Sequence, residues 1–172
     1  MKTRFWLALL TVVVGMALYG GTVLATPGFG VTSTLFAVGR FDEIEAKTLL
    51  CERESSARRP RCTWQARIST RGATDLHILE NRIAPGGTFG WHSHPGPSLV
   101  IVKTGALTLY SADDPDCTPR LVSAGSGFVD EGGDVHVVRN EGSVETVVYV
   151  TSFLPAGAVR RIDEPSPGNC SF

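Results

Sequence analysis

The sequence has little net charge, no extended basic segment and few cysteines. Its 172 residues carry a formal net charge of -1, and its one basic cluster, residues 57–61, fits a solvated loop. A nucleic-acid-binding surface needs a basic face, so we expect no nucleic-acid partner. Beyond Ala25 the chain also lacks low-complexity segments and any repeat with a period of about 20–50 residues.

An apolar run that begins at Phe5 follows two basic residues near the N-terminus. Val23 and Ala25 occupy the small-residue positions that a signal peptidase prefers. Residues 1–25 are therefore predicted to be a secretory signal peptide, and the protein to be secreted or extracytoplasmic. The alternative is a membrane anchor formed by an N-terminal helix, because the run from Phe5 to Ala25 is just long enough to span a bilayer. We expect no other contact with a membrane.

The four cysteines, Cys51, Cys62, Cys117 and Cys170, have no CxxC spacing. In an exported protein this even number predicts two disulfides and not a zinc or redox site. Three pairings are possible. We favour Cys51 with Cys62, which closes a short loop, and Cys117 with Cys170, which holds the C-terminal tail. In the cytoplasm all four would be free thiols.

Short runs of β-forming residues recur along the chain, separated by Gly, Pro, Asn and Asp. Such spacing predicts an all-β sandwich or barrel. A helix is an open alternative at residues 41–54, where acidic residues precede a loosely helical apolar pattern. The predicted organisation beyond residue 25 is N-terminal strands with a disulfide loop over 26–65, a barrel over 66–158, and a C-terminal tail over 159–172, of which residues 163–172 should be irregular.

Two of the four histidines lie one residue apart in the segment GWHSHPGP. Side chains alternate along a strand, so His92 and His94 project from one face about 7 Å apart and can bind the same metal ion. A third ligand must come from another strand. His136 follows a glycine-rich turn and begins a predicted strand. His77 lies outside any comparable context, and we interpret it as structural or exposed.

With these two segments the sequence resembles the cupin family. The first cupin motif, G-x5-HxH-x3-E-x6-G, aligns with residues 86–105, and the second, G-x5-PxG-x2-H-x3-N, aligns with residues 125–140. The resemblance implies a double-stranded β-helix, or jelly roll, with one divalent metal ion (Zn, Fe, Mn, Ni or Cu) bound by His92, His94 and His136. It also implies a small-molecule ligand in the barrel mouth and makes a homodimer plausible.

Two positions depart from the cupin motifs: the usual glutamate is Ser98, and the usual proline is Glu131. An ion bound by three neutral imidazoles alone would keep its full charge and favour an anion or hydroxide. Three protein ligands with an open position are typical of catalytic metal sites. We expect Glu131 to be solvated, although Glu131, Asp130 or Asp134 could act as a nearby base.

Strand alternation also predicts a pocket beside the metal. If Ser98 faces inward, positions 100, 102 and 104 face the same way. This lining is small and apolar, with no Arg or Lys, and suits a small, mostly apolar ligand. Phe89 and Trp91 should face away from it. The predicted pocket residues are Ser98, Val100, Val102 and Asn140.

Three functions are compatible with these features. The working hypothesis is a metal-dependent, dioxygenase-like enzyme. The alternatives are a non-catalytic module that binds a metal or small ligand, and a metal-free β-barrel scaffold. The sequence fixes the position of no catalytic acid or base, and it identifies no site for an organic cofactor.

Overall fold

The computed structural model describes residues 25–52 and 61–172, and its regular elements are all β-strands. The candidate signal peptide or anchor lies outside the described residues, apart from Ala25. Within those residues, no helix could cross a membrane. The strands are β1 (Phe29–Phe41), β2 (Glu45–Glu52), β3 (Arg61–Ser69), β4 (Thr74–Thr88), β5 (His92–Ser93), β6 (Ser98–Thr104), β7 (Ala106–Ser111), β8 (Arg120–Ser123), β9 (Gly127–Asp130), β10 (His136–Arg139), β11 (Thr146–Pro155) and β12 (Ile162–Asp163).

Ten of these strands form one antiparallel sheet that folds into two facing layers. One layer has the order β1, β4, β11, β6, β9, and the other has the order β12, β5, β10, β7, β8. The layers join where Arg139 of β10 pairs with Thr88 at the end of β4. This nearly closed barrel confirms the predicted all-β jelly roll.

The hydrophobic core lies between the two layers. Inward and outward side chains alternate along β6, where Ser98, Val100 and Val102 are buried and the residues between them are exposed. Because β-branched residues pack well on a pleated surface, segments such as SLVIVKT favour strands. The core side chains are Leu79, Ile83, Phe89, Val100, Val102, Leu107, Val122, Val138, Val148 and Val150.

The possible helix at residues 41–54 is wrong for the part that the structure describes. β1 continues to Phe41, and β2 pairs with β3 in a separate two-stranded sheet. Leu50 lies opposite Trp64, and Cys51 is bonded to Cys62. The backbone groups that a helix would bond internally are paired with β3 instead, and the disulfide fixes this pairing.

The C-terminal tail is more regular than predicted. Cys117 and Cys170 form the second disulfide, so both favoured pairings are confirmed. The expectation of an irregular segment from residue 163 is wrong at Asp163, which pairs with His92 as the last residue of β12, beside the pair of Ile162 and Ser93. The tail therefore lies directly beside the strand that carries the first histidine pair.

Candidate metal centre

Three histidines converge between the layers. Their candidate ligand nitrogens all lie within 4.8 Å of one another. His92 pairs directly with His136 across β5 and β10, and their ring centroids are 4.5 Å apart. His94 follows two positions later on the same face, with its ring centroid 4.9 Å from that of His92. The structure thus brings together the three residues that the sequence nominated as ligands.

Each of the three imidazoles is oriented by a backbone carbonyl. His92 Nδ1 lies 2.8 Å from the oxygen of Gly90, and His94 Nδ1 lies 2.6 Å from the oxygen of Arg160. His136 Nδ1 lies 3.1 Å from the oxygen of Asp134. A carbonyl can only accept a hydrogen bond, so each Nδ1 carries the proton and donates it. The lone pair of each Nε2 is left free, which is the arrangement that metal-binding histidines require.

Burial keeps the imidazoles of His92 and His94 in the neutral form that binds metals. Desolvation and repulsion from His136 lower the pKa of His92 to about 2. Desolvation also lowers the pKa of His94. A metal ligand must be deprotonated, so neither ring has to lose a proton before it binds an ion at neutral pH. The donor set fits a divalent transition metal.

One of the three acidic residues considered as a nearby base lies at this cluster. Asp130 Oδ2 is 3.4 Å from His94 Nε2 and 3.6 Å from His136 Nε2, and only 9% of the Asp130 side chain is exposed. Glu131 is exposed, as expected, and so is Asp134. The structure therefore singles out Asp130 from its neighbours, which sequence spacing alone could not do.

The predicted pocket residues divide into two groups. Ser98 and Val100 line a small cavity of about 40 Å³ beside the histidines. Val102 is fully buried in the core, and Thr104 is exposed. Asn140 is buried at a turn, where its side-chain amide donates hydrogen bonds to the backbone oxygens of Ile83 and Val144. The structure therefore places Val102, Thr104 and Asn140 outside the cavity lining.

Two expectations about the cavity wall are wrong. Phe89 does not face away, because its ring lies 5.7 Å from that of His92 and lines the cavity. Gly90, with φ of 71°, interrupts the strand alternation on which that expectation depended. The cavity also contains basic residues, since Arg160 and Arg161 of the tail line it.

Trp91 and His77 lie as expected. Trp91 is buried on the other side of its segment, in a cluster with Tyr110 and Val137. His77 is partly buried in β4 and is not one of the converging histidines. Neither residue has a role at the candidate metal centre.

A larger cleft adjoins the cavity. It has a volume of about 380 Å³, and its lining includes Tyr110, Arg120, Asp130 and His136. Asp130 and His136 line both spaces. A small molecule in the cleft would therefore meet two of the residues at the candidate metal centre.

The jelly-roll fold and the three convergent imidazoles together define the class of this protein. It is a β-barrel protein with a candidate site for one metal ion. The family model described as "Cupin domain" matches residues 80–152, a span that contains all three histidines and both motifs. This span of 73 of the 172 residues is therefore similar to a cupin domain. No curated protein matches it.

Several solved structures align with about half of this chain. A recombinant oxalate oxidase in complex with glycolate is 27% identical, with 51% of this chain and 45% of that chain covered and a TM-score of 0.44. A cupin-like protein from Thermotoga maritima is 21% identical, with 53% and 65% covered and a TM-score of 0.44. The alignment therefore spans less than half of the oxalate oxidase chain.

Proposed function

We propose that this protein is an exported, metal-dependent enzyme of dioxygenase-like type, with one divalent transition metal bound by His92, His94 and His136. The observation that carries the proposal is the orientation of the three imidazoles. Each Nδ1 donates to a backbone carbonyl, which leaves Nε2 free, and one ring nitrogen of each histidine lies within 4.8 Å of the others. Three histidines that served only the fold would not need a common orientation.

The access that a substrate has to the site favours a catalytic metal ion over a purely structural one. Structural sites are closed by protein ligands, whereas catalytic sites keep a position open. Here His136 borders both the inner cavity and the larger cleft, so a substrate has a route to the ion. When bound, the ion would supply Lewis acidity and coordination positions for substrate and dioxygen.

Residues of the tail would orient the ligand. Arg161 is held in place, because its guanidinium donates to the backbone oxygen of Phe89 and to Asp163. Arg160 is partly buried, and desolvation lowers its pKa. A guanidinium offers several donors in a planar fork, so Arg160 fits a small ligand that carries a carboxylate or another oxygen acceptor. This replaces the mostly apolar ligand that the sequence suggested.

Export is part of the proposal. Two disulfides are typical of proteins that fold in oxidising compartments, and both form here. The signal peptide at residues 1–25 and a homodimer stay predictions. N-terminal sequencing of the mature protein tests the first, and size-exclusion chromatography with light scattering tests the second.

The test combines metal analysis with a turnover assay on the disulfide-bonded protein. Wild type should contain about one equivalent of metal, and His94→Ala should contain much less. After loading with Fe²⁺ or Mn²⁺, oxygen uptake is measured with small hydroxy acids and catechols. Bound metal without turnover favours the non-catalytic binding module. If wild type contains no stoichiometric metal and takes up none, the enzyme and the metal-binding module are both rejected.

A further inference from the structure

We propose that Asp130 is the fourth protein ligand of the metal and supplies, from a neighbouring strand, the carboxylate that position 98 lacks. This inference depends on metal binding in the proposed function. In the cupin motif the carboxylate belongs to the same motif as the histidine pair, at the position that Ser98 occupies on β6, whereas Asp130 belongs to β9. The metal would then have three imidazoles and one carboxylate, with a net charge of about +1.

The strand register explains how a carboxylate can change strands without leaving the site. Ser98 on β6 pairs directly with Asp130 on β9. Directly opposed residues in an antiparallel pair lie on the same face, with Cβ atoms about 4.5–5.5 Å apart. A carboxylate at position 130 therefore reaches the same side of the barrel as one at position 98.

Ser98 itself is committed elsewhere. Its hydroxyl lies 2.8 Å from that of Ser152, and the two residues are 2% and 0% exposed. The two hydroxyls share one hydrogen bond inside the barrel, so Ser98 Oγ has a polar partner other than a metal ion. A hydroxyl is in any case a poorer ligand than a carboxylate for a divalent transition ion.

The distances from Asp130 to two of the three imidazoles match those between ligands of one ion. Oδ2 lies 3.4 Å from His94 Nε2 and 3.6 Å from His136 Nε2. With bonds of about 2.1 Å, ligand atoms at tetrahedral angles lie about 3.4 Å apart, and a site that expands to five-coordinate keeps a position for substrate. A hydrogen bond would be shorter, at about 2.7–3.2 Å for a nitrogen donor and an oxygen acceptor. The gap between Oδ2 and the two nitrogens is therefore better suited to a shared ion.

The carboxylate is also held in the required orientation. Its other oxygen, Oδ1, accepts a hydrogen bond of 3.1 Å from the backbone nitrogen of Gly132. Gly132 has φ of 81°, and a Cβ there would lie 2.7 Å from the backbone carbon of Gly96. Only glycine fits this turn without movement. The turn thus fixes Oδ1 and leaves Oδ2 directed at the two imidazoles.

The test measures metal affinity in chelator-treated protein. Zn²⁺ and Co²⁺ are titrated into wild type, Asp130→Asn and Glu131→Gln, with the fold checked by circular dichroism and thermal melting. Asp130→Asn should weaken both affinities about 100-fold, at the upper end of effects seen on removing groups that support a metal site. Glu131→Gln makes the same charge change one residue away on an exposed side chain and should bind within about twofold of wild type.

A second variant tests direct coordination. Asp130→Cys with Co²⁺ should show a thiolate-to-cobalt charge-transfer band, after a thiol assay has shown one free cysteine. A folded Asp130→Cys protein that binds Co²⁺ without this band overturns the proposal, and so does an Asp130→Asn protein with wild-type affinity. Either result leaves the three-histidine enzyme intact. If wild type binds metal through Asp130 but consumes no oxygen, the proposed enzyme activity is rejected, whereas the role of Asp130 as a metal ligand is retained.

Discussion

The barrel and the β2–β3 hairpin are both antiparallel, and both contain apolar residues, but they use those residues differently. In the barrel, Val102 is 0% exposed and its neighbour Ile101 is 57% exposed, so one face of β6 is buried. In the hairpin, Leu50 is 57% and Trp64 is 54% exposed. Neither face of the hairpin is buried within the part of the chain that the structure describes.

This difference shows which forces hold each region. The barrel is stabilised by side chains packed between two layers, and that packing positions the strands that carry the histidines. The hairpin depends on its own backbone pairing and on the bond between Cys51 and Cys62. An isolated two-stranded hairpin is at best marginally stable in water. Changes in the barrel should therefore cost much more stability than equivalent changes in the hairpin.

The largest expected effect is loss of the disulfide between Cys117 and Cys170. It spans 53 residues of the chain, so in the chain-entropy model its removal lowers the free energy of unfolding by about 4 kcal/mol. Guanidinium denaturation of a Cys117→Ser/Cys170→Ser protein measures this loss. The matched control, Cys51→Ser/Cys62→Ser, opens a loop of 11 residues and should change the barrel transition much less. Equal losses would mean that the hairpin and the barrel unfold as one unit.

A smaller effect is expected from a single core substitution. Val102→Ala removes two methyl groups from a fully buried site and should lower the free energy of unfolding by about 2–3 kcal/mol. Leu50→Ala removes more apolar volume from the exposed hairpin and should change it by no more than about 0.5 kcal/mol. Urea denaturation followed by circular dichroism compares the two. A larger loss for Leu50→Ala would show that the hairpin face is covered in solution.

The barrel and its histidines could be predicted because the relevant information is local. Strand alternation places His92 and His94 on one face, and the spacing of the two motifs brings His136 to the same end of the barrel. The hairpin has no such pattern. Its spacing of Leu49 and Leu50 resembles a helix, and only the pairing with β3 and the disulfide decide in favour of a strand.

The rest of the site depends on contacts between segments distant in sequence. Asp130 meets the histidines through its register with Ser98, and Arg160 reaches the cavity because the tail adds β12 beside β5. Alternation also says nothing about the depth of a pocket. Val102 shares a face with Ser98, but four residues of strand carry it about 13 Å away, beyond a cavity of about 40 Å³.

The smallest expected effect concerns an ion pair at the end of β1, where the barrel continues into the β2–β3 hairpin. Arg40, near the end of β1, forms an ion pair with Asp75 of β4, with Nε and Oδ1 2.7 Å apart. This partner, and a hydrogen bond from the backbone of Gly157, hold the pKa of Asp75 well below its usual range. A carboxyl with a depressed folded-state pKa adds stability above its unfolded pKa of about 3.9, and the contribution is lost as the pH falls below that value.

The variant Asp75→Asn keeps an acceptor for the backbone of Gly157 but removes the charge. We therefore expect its melting temperature to be a few degrees lower than that of wild type at pH 7. The two melting temperatures should converge as the pH falls from 5 towards 2. Since the Arg40 side chain is 61% exposed, added salt should reduce the difference at pH 7. If the difference in melting temperature persists at low pH, the effect comes from hydrogen bonding alone. β1 is then held against β4 without an electrostatic contribution from this ion pair.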